Sequence, residues 1–104
     1  MFWTGPIEPS ALCERYTVAI AWTGGTKRPN VRVVAPKLQD RADKKVPHRF
    51  PDGSLCLHLY EEWRPEMLIS QSIIPWASEW LAFYEVWRAT GEWLGGGHEP
   101  DPKL

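Results

Sequence analysis

The chain has 104 residues, a net charge of −1 and 24% charged residues, a balance that suits one small globular domain and offers no basic face for a nucleic-acid site. No window reaches 18 apolar residues, and the N-terminus lacks a basic stretch followed by an apolar core. A membrane span and a secretory signal are therefore not expected, and the reading is cytoplasmic.

In chain order, a first strand is expected around Met1 to Ile7, cut short by Pro6 and Pro9. Cys13 precedes the next strand and reads as a small, semi-buried residue. Tyr16 to Trp22 is rich in β-branched and aromatic residues, with Tyr16, Val18, Ile20 and Trp22 on one face. Thr23-Gly24-Gly25-Thr26 reads as a hairpin turn, and Val31 to Ala35 as the returning strand, ended by Pro36. The charged run Gln39 to Lys45 reads as a solvated loop. Leu55 to Tyr60 is expected as a short strand, and Trp63-Arg64-Pro65 as a flap over it.

A helix is predicted over roughly 71–90, with Ser70 or Ser72 as its cap and Pro75 tolerated in the first turn. Trp76, Trp80, Tyr84 and Trp87 recur on one helical face, widened by Ile73, Ala77 and Leu81, and Gly91 is a natural stop. That stripe reads as core. The domain is expected to span 1–104, with 94–104 as a flexible tail that includes Gly95-Gly96-Gly97. Seven tryptophans are many for this length; most should fill the core, and the remainder would line a partner surface, which makes a homodimer or stable complex an expectation.

The chemistry is concentrated in Pro47-His48-Arg49-Phe50-Pro51-Asp52-Gly53-Ser54-Leu55-Cys56-Leu57. Pro51-Asp52-Gly53 is turn chemistry. It sets a thiol just past a tight turn, with a histidine eight residues upstream, an arrangement that suits a covalent acyl carrier. His58 lies on the same strand face as Cys56 and is a second acid–base candidate. Asp52 reads as a turn former rather than a base, Trp63 as packing beside Cys56, and His98 as a tail residue able to reach the site. A metal site from His48, Cys56 and His58 matches no recurrent ligand spacing, so no metal or cofactor is expected. A cysteine protease lacks an evident third orienting group.

This segment resembles the active-site stretch of ubiquitin-conjugating enzymes, in which a His-Pro-Asn tripeptide precedes a Pro-Asp-Gly turn, the thioester cysteine and a Trp-x-Pro. Pro47 stands on the tripeptide's Pro, His48 on its Asn, and Val46 replaces its His. Arg28 to Leu38 resembles a characteristic strand of that family. Pro75-Trp76-Ala77-Ser78-Glu79-Trp80, with Tyr84-Glu85, Trp87 and Thr90-Gly91-Glu92-Trp93, is similar to the helix and tail of its bacterial branch, which serves in anti-phage defence of the CBASS type.

The resemblance implies an α+β fold: a minimal ubiquitin-conjugating-enzyme (UBC-like) core with an antiparallel meander sheet packed on one long helix, the family's N-terminal helix being absent. It implies Cys56 as the catalytic nucleophile, and His48 as oxyanion or loop support or, alternatively, as general base. It further implies a cGAS-like nucleotidyltransferase C-terminus, or a ubiquitin-like protein, as acyl donor, with an activating enzyme as a further partner. The rival reading from another class is a non-catalytic adaptor that keeps the fold as a binding surface.

Overall fold

A computed structural model of the protein describes residues 2–22, 29–57 and 71–94. Three strands, β1 (Phe2–Ile7), β2 (Tyr16–Ala21) and β3 (Asn30–Ala35), form an antiparallel sheet in the order β1-β2-β3, followed by one helix, α1 (Ile73–Thr90). The architecture is α+β, compatible with the minimal meander-and-helix core expected. Val18, Ile20 and Tyr16 of β2 are buried on one face, and Ile7 and Val31 join them from the flanking strands. Ile73, Ala77, Trp80, Leu81, Tyr84 and Trp87 of α1 close over that face as a single apolar cluster. Each large aliphatic side chain so buried contributes about 1.5–3 kcal/mol.

The first strand lies where it was expected, over Phe2–Ile7, and it accommodates Pro6 because β1 is an edge strand among the described residues, and edge strands accept a residue without an N–H. Of the strand expected from Leu55, the described part contributes a single bridge, Arg49 to Leu55. β3 carries an irregularity opposite Thr17 and Val18 that leaves Val34 exposed, and the strand ends at Pro36, where the Ala35-Pro36 peptide is cis.

The helix starts two residues later than 71. Ser72 occupies the cap position without a side-chain capping bond, and Pro75 sits within the first turn. At the other end Gly91 takes a left-handed conformation (φ 85°), and its N–H bonds the Trp87 carbonyl at 2.7 Å. The Arg41 guanidinium lies on the same terminus, donating to the carbonyls of Arg88 at 2.7 Å and Trp87 at 3.4 Å, so a cation meets the negative end of the helix dipole. The charged run is thus tied to the helix, although most of its side chains are exposed.

Sheet and helix are also joined by polar contacts. The Tyr16 hydroxyl donates to Glu85 Oε2 at 2.8 Å, and the same oxygen accepts the Glu14 backbone N–H at 3.0 Å. Tyr84 Oη accepts the Gln39 N–H at 2.8 Å. No helix among the described residues is long and apolar enough to cross a membrane. The expected turn over Thr23 to Thr26, the Trp63 flap and the tail after Leu94 lie outside the described residues. No described tryptophan is exposed. Trp80 and Trp87 are buried, and Trp3, Trp22, Trp76 and Trp93 pack half-buried against the core, each keeping part of its surface open.

Candidate active site

The candidate site is a small hairpin seated on the free edge of β3. Phe50 and Gly53 close a turn through the Gly53 N–H to the Phe50 carbonyl (2.9 Å), and the Phe50 N–H returns to the Ser54 carbonyl (2.8 Å). Pro51 suits the first corner, and Gly53 at φ 90° supplies the left-handed residue that lets the two arms pair. Asp52 Oδ1 accepts both the Ser54 N–H (2.9 Å) and the Ser54 hydroxyl (2.6 Å). These bonds, with a smaller contribution from the Arg32 guanidinium, hold the Asp52 carboxyl below its ordinary range.

Arg32 of β3 reaches across to the turn, donating to the Asp52 carbonyl at 2.6 Å and pairing with its carboxylate at 3.2 Å. The Leu55 N–H bonds the Val31 carbonyl at 2.8 Å. The turn is therefore fastened to the sheet at two points, one on each side of Ser54.

That fastening brings Cys56 and His48 opposite one another. The Cys56 N–H donates to the His48 carbonyl at 2.8 Å, and the Trp80 indole Nε1–H donates to the same oxygen at 3.2 Å. His48 is the one non-glycine residue with positive φ among the described residues, at 55°. It leaves regular strand geometry there, and its ring centroid lies 4.9 Å from that of Trp93. Leu55, Cys56 and Leu57 are all buried, with Cys56 at 7% relative exposure. Cys56 is buried because it follows the turn by three residues, far enough for the hairpin to re-enter the core.

Asp52 stands at the turn's tip, about 53% exposed at its side chain, engaged with Ser54 and Arg32. His58, Trp63 and His98 lie outside the described residues. Cys13 and Cys56 are not joined by a disulfide, and Cys13 is half-buried in a turn whose Ser10 hydroxyl faces its sulfur at 3.4 Å. No group of three or more His, Cys, Asp and Glu among the described residues converges as a metal site.

A family model described as Type II CBASS E2 protein matches residues 1–100. The chain belongs to that family. As a Type II CBASS E2 protein it is grouped, by the family's description, with E2-like proteins of a defence system. No curated protein matches the sequence.

Three site residues of this CBASS E2 protein escaped the sequence reading. Arg32, on the exposed face of β3, anchors the turn. Trp80 was placed in the core, which is where it lies, but its indole N–H also holds the His48 carbonyl. Trp93 packs against His48, Trp80 and Phe83, with ring centroids 4.9, 5.1 and 6.1 Å away. The signal for Trp93 was Gly91: a left-handed helix stop reverses the chain and carries an apolar residue just beyond it back onto the helix.

Proposed function

We propose that this protein carries a protein C-terminus as a thioester on Cys56 and transfers it to a target protein in anti-phage defence. We read the sheet and helix as a minimal UBC-like core within one domain. In the first step the Cys56 thiolate attacks the acyl carbon of an activated C-terminus. A C–S bond forms, and the activating group leaves with its electron pair, so an activating enzyme or an equivalent activated donor is required. In the second step an amine attacks the thioester carbon; the C–S bond breaks, the thiolate leaves, and the ammonium proton passes to a base or to water. The donor is the C-terminus of a cGAS-like nucleotidyltransferase, or alternatively a ubiquitin-like protein.

The observation that carries this reading is the 2.8 Å bond from the Cys56 N–H to the His48 carbonyl, at the base of a hairpin clamped to β3. It holds the residue after the turn in one backbone position, and transfer between large partners depends chiefly on positioning. A left-handed backbone at His48 favours loop support as its role, since that conformation suits the Asn of the related motif equally well. Asp52, engaged with Ser54 and Arg32, acts as a turn former.

The test is intact-mass analysis of the protein co-expressed with its genomic neighbours, comparing wild type, Cys56→Ala and Cys56→Ser. An adduct removed by thiols in wild type, absent in Cys56→Ala and thiol-resistant in Cys56→Ser is the expected result, and its mass identifies the donor. The burial of Cys56 favours a second reading, the non-catalytic adaptor. Under it all three proteins stay unmodified and capture the same partner, and Cys56 is a packing residue.

A further inference from the structure

Between the 44–48 loop and the C-terminal end of α1 lies an open groove of about 490 Å³, within the size range of small binding sites. It adjoins the candidate site, because His48 contributes to its lining. Val46, Pro47, Trp87 and Trp93 supply apolar surface, and among the described lining residues Lys44 and Lys45 supply the formal charges. Both lysines are exposed.

Most cations on this surface are already committed. Arg15 pairs with Glu8, Arg32 with Asp52, Arg49 with Asp40, and Arg41 caps the helix. Arg88 bonds Gln39. Lys44 and Lys45 form no ion pair with any described residue. A groove with two lysines in no ion pair with any described residue, and no acidic residue among its described lining, selects an anion.

Aromatic rings beside lysines would also suit a nucleotide, but the rings here are occupied. Half-buried Trp93 already packs on His48, Trp80 and Phe83, while Trp87 is buried against Tyr84. Little ring face is left for a base to stack on. What remains is apolar surface of the kind that receives aliphatic side chains.

We infer that this groove takes a short extended segment of a partner protein that carries acidic side chains next to aliphatic ones. The inference deepens the conjugation reading, on which it rests for the partner being one of the two proteins joined at Cys56. The lysines engage the carboxylates, the apolar lining receives the aliphatic groups, and the segment is held beside the hairpin that carries the cysteine.

The test uses two fluorescein-labelled hexapeptides with the same leucine and valine positions, one with two glutamates and the other with two glutamines. Anisotropy is measured with the full chain at low and physiological salt. The glutamate peptide is expected to bind about fivefold tighter, the scale of two exposed ion pairs, with the difference shrinking as salt rises. Lys44→Glu with Lys45→Glu should remove the preference while leaving the circular dichroism spectrum unchanged, and Cys56→Ala should retain it. Equal binding of the two peptides, or a preference that survives the double lysine variant, would overturn the inference. So would tighter binding of a labelled single-stranded oligonucleotide at the same lysines, or a lysine-dependent dimer in sedimentation. Because the Cys56→Ala arm reads binding without transfer, a retained preference with no thioester adduct in wild type would refute the acyl-carrier reading and leave the groove's specificity standing.

Discussion

At the scale of single residues, the site depends on a backbone conformation that few side chains accept. His48 sits at φ 55°, where a β-branched residue is strained and Asn is at ease. His48→Asn should hold stability within about 0.5 kcal/mol, and His48→Val should lose about 1–2 kcal/mol in urea denaturation. Equal losses would show that the left-handed backbone is not what the position demands. Asp52 gives a pH signature. Its carboxyl lies below the ordinary range in the folded chain, chiefly through Ser54, so the charged form favours folding. That contribution is present above the ordinary carboxyl range near pH 4 and is lost as pH falls through the depressed value. Asp52→Asn keeps an acceptor oxygen for Ser54, so its melting temperature should fall less than wild type between pH 5 and 2. With the side chain about half exposed, the difference should be small. The turn residues were legible in the sequence because Pro, Asp and Gly have backbone reasons to be there. The cover over Cys56 was not, since burial is decided by what packs on a hairpin and not by the hairpin itself.

At the scale of elements, the helix was read almost to its ends, because a stripe of large aromatics at helical spacing leaves one face to bury. Its stop at Gly91 has two consequences. A Cβ there would meet the Arg41 guanidinium at 3.4 Å and would also occupy a left-handed backbone. Gly91→Ala should cost about 1 kcal/mol, and by loosening the reversal should release Trp93, observed as a change in tryptophan fluorescence. Unchanged fluorescence with lowered stability would separate the cap from the placement of Trp93. In β1, the Trp3 indole lies so close over Gly5 that a Cβ would fall 2.5 Å from it. Gly5→Ala should therefore expel the ring and raise the accessibility of Trp3 to acrylamide quenching. Neither contact was readable from the residues in order: each depends on a side chain folding back along its own element. Of the strand expected over Leu55 to Tyr60, the described residues Leu55 to Leu57 make one bridge, since apolar composition marks burial as readily as pairing.

Across the whole molecule, the sheet and helix are locked by the Tyr16 hydroxyl on Glu85 as well as by the apolar cluster. Burial, reinforced by the neighbouring Glu85 carboxylate, pushes the Tyr16 phenol well above its ordinary value of 10.0. The neutral phenol is thus the form that folding favours, and its contribution is complete below pH 10 and declines as pH rises further. Stability should fall above pH 10, with a shallower fall in Tyr16→Phe. The strand Tyr16–Ala21 was legible because it alternates and is followed by turn residues, and the α+β meander was implied by the family resemblance, whereas the polar lock joins positions 69 residues apart that no local pattern connects. The carbonyl of His48 draws such distant parts together in another way. It is the common acceptor for the Cys56 amide and the Trp80 indole proton. A motion that withdraws this one oxygen exposes both protons to solvent at once. In deuterium exchange followed by NMR, the two should open with the same free energy, so that an indole on the helix reports in real time on the backbone of the cysteine.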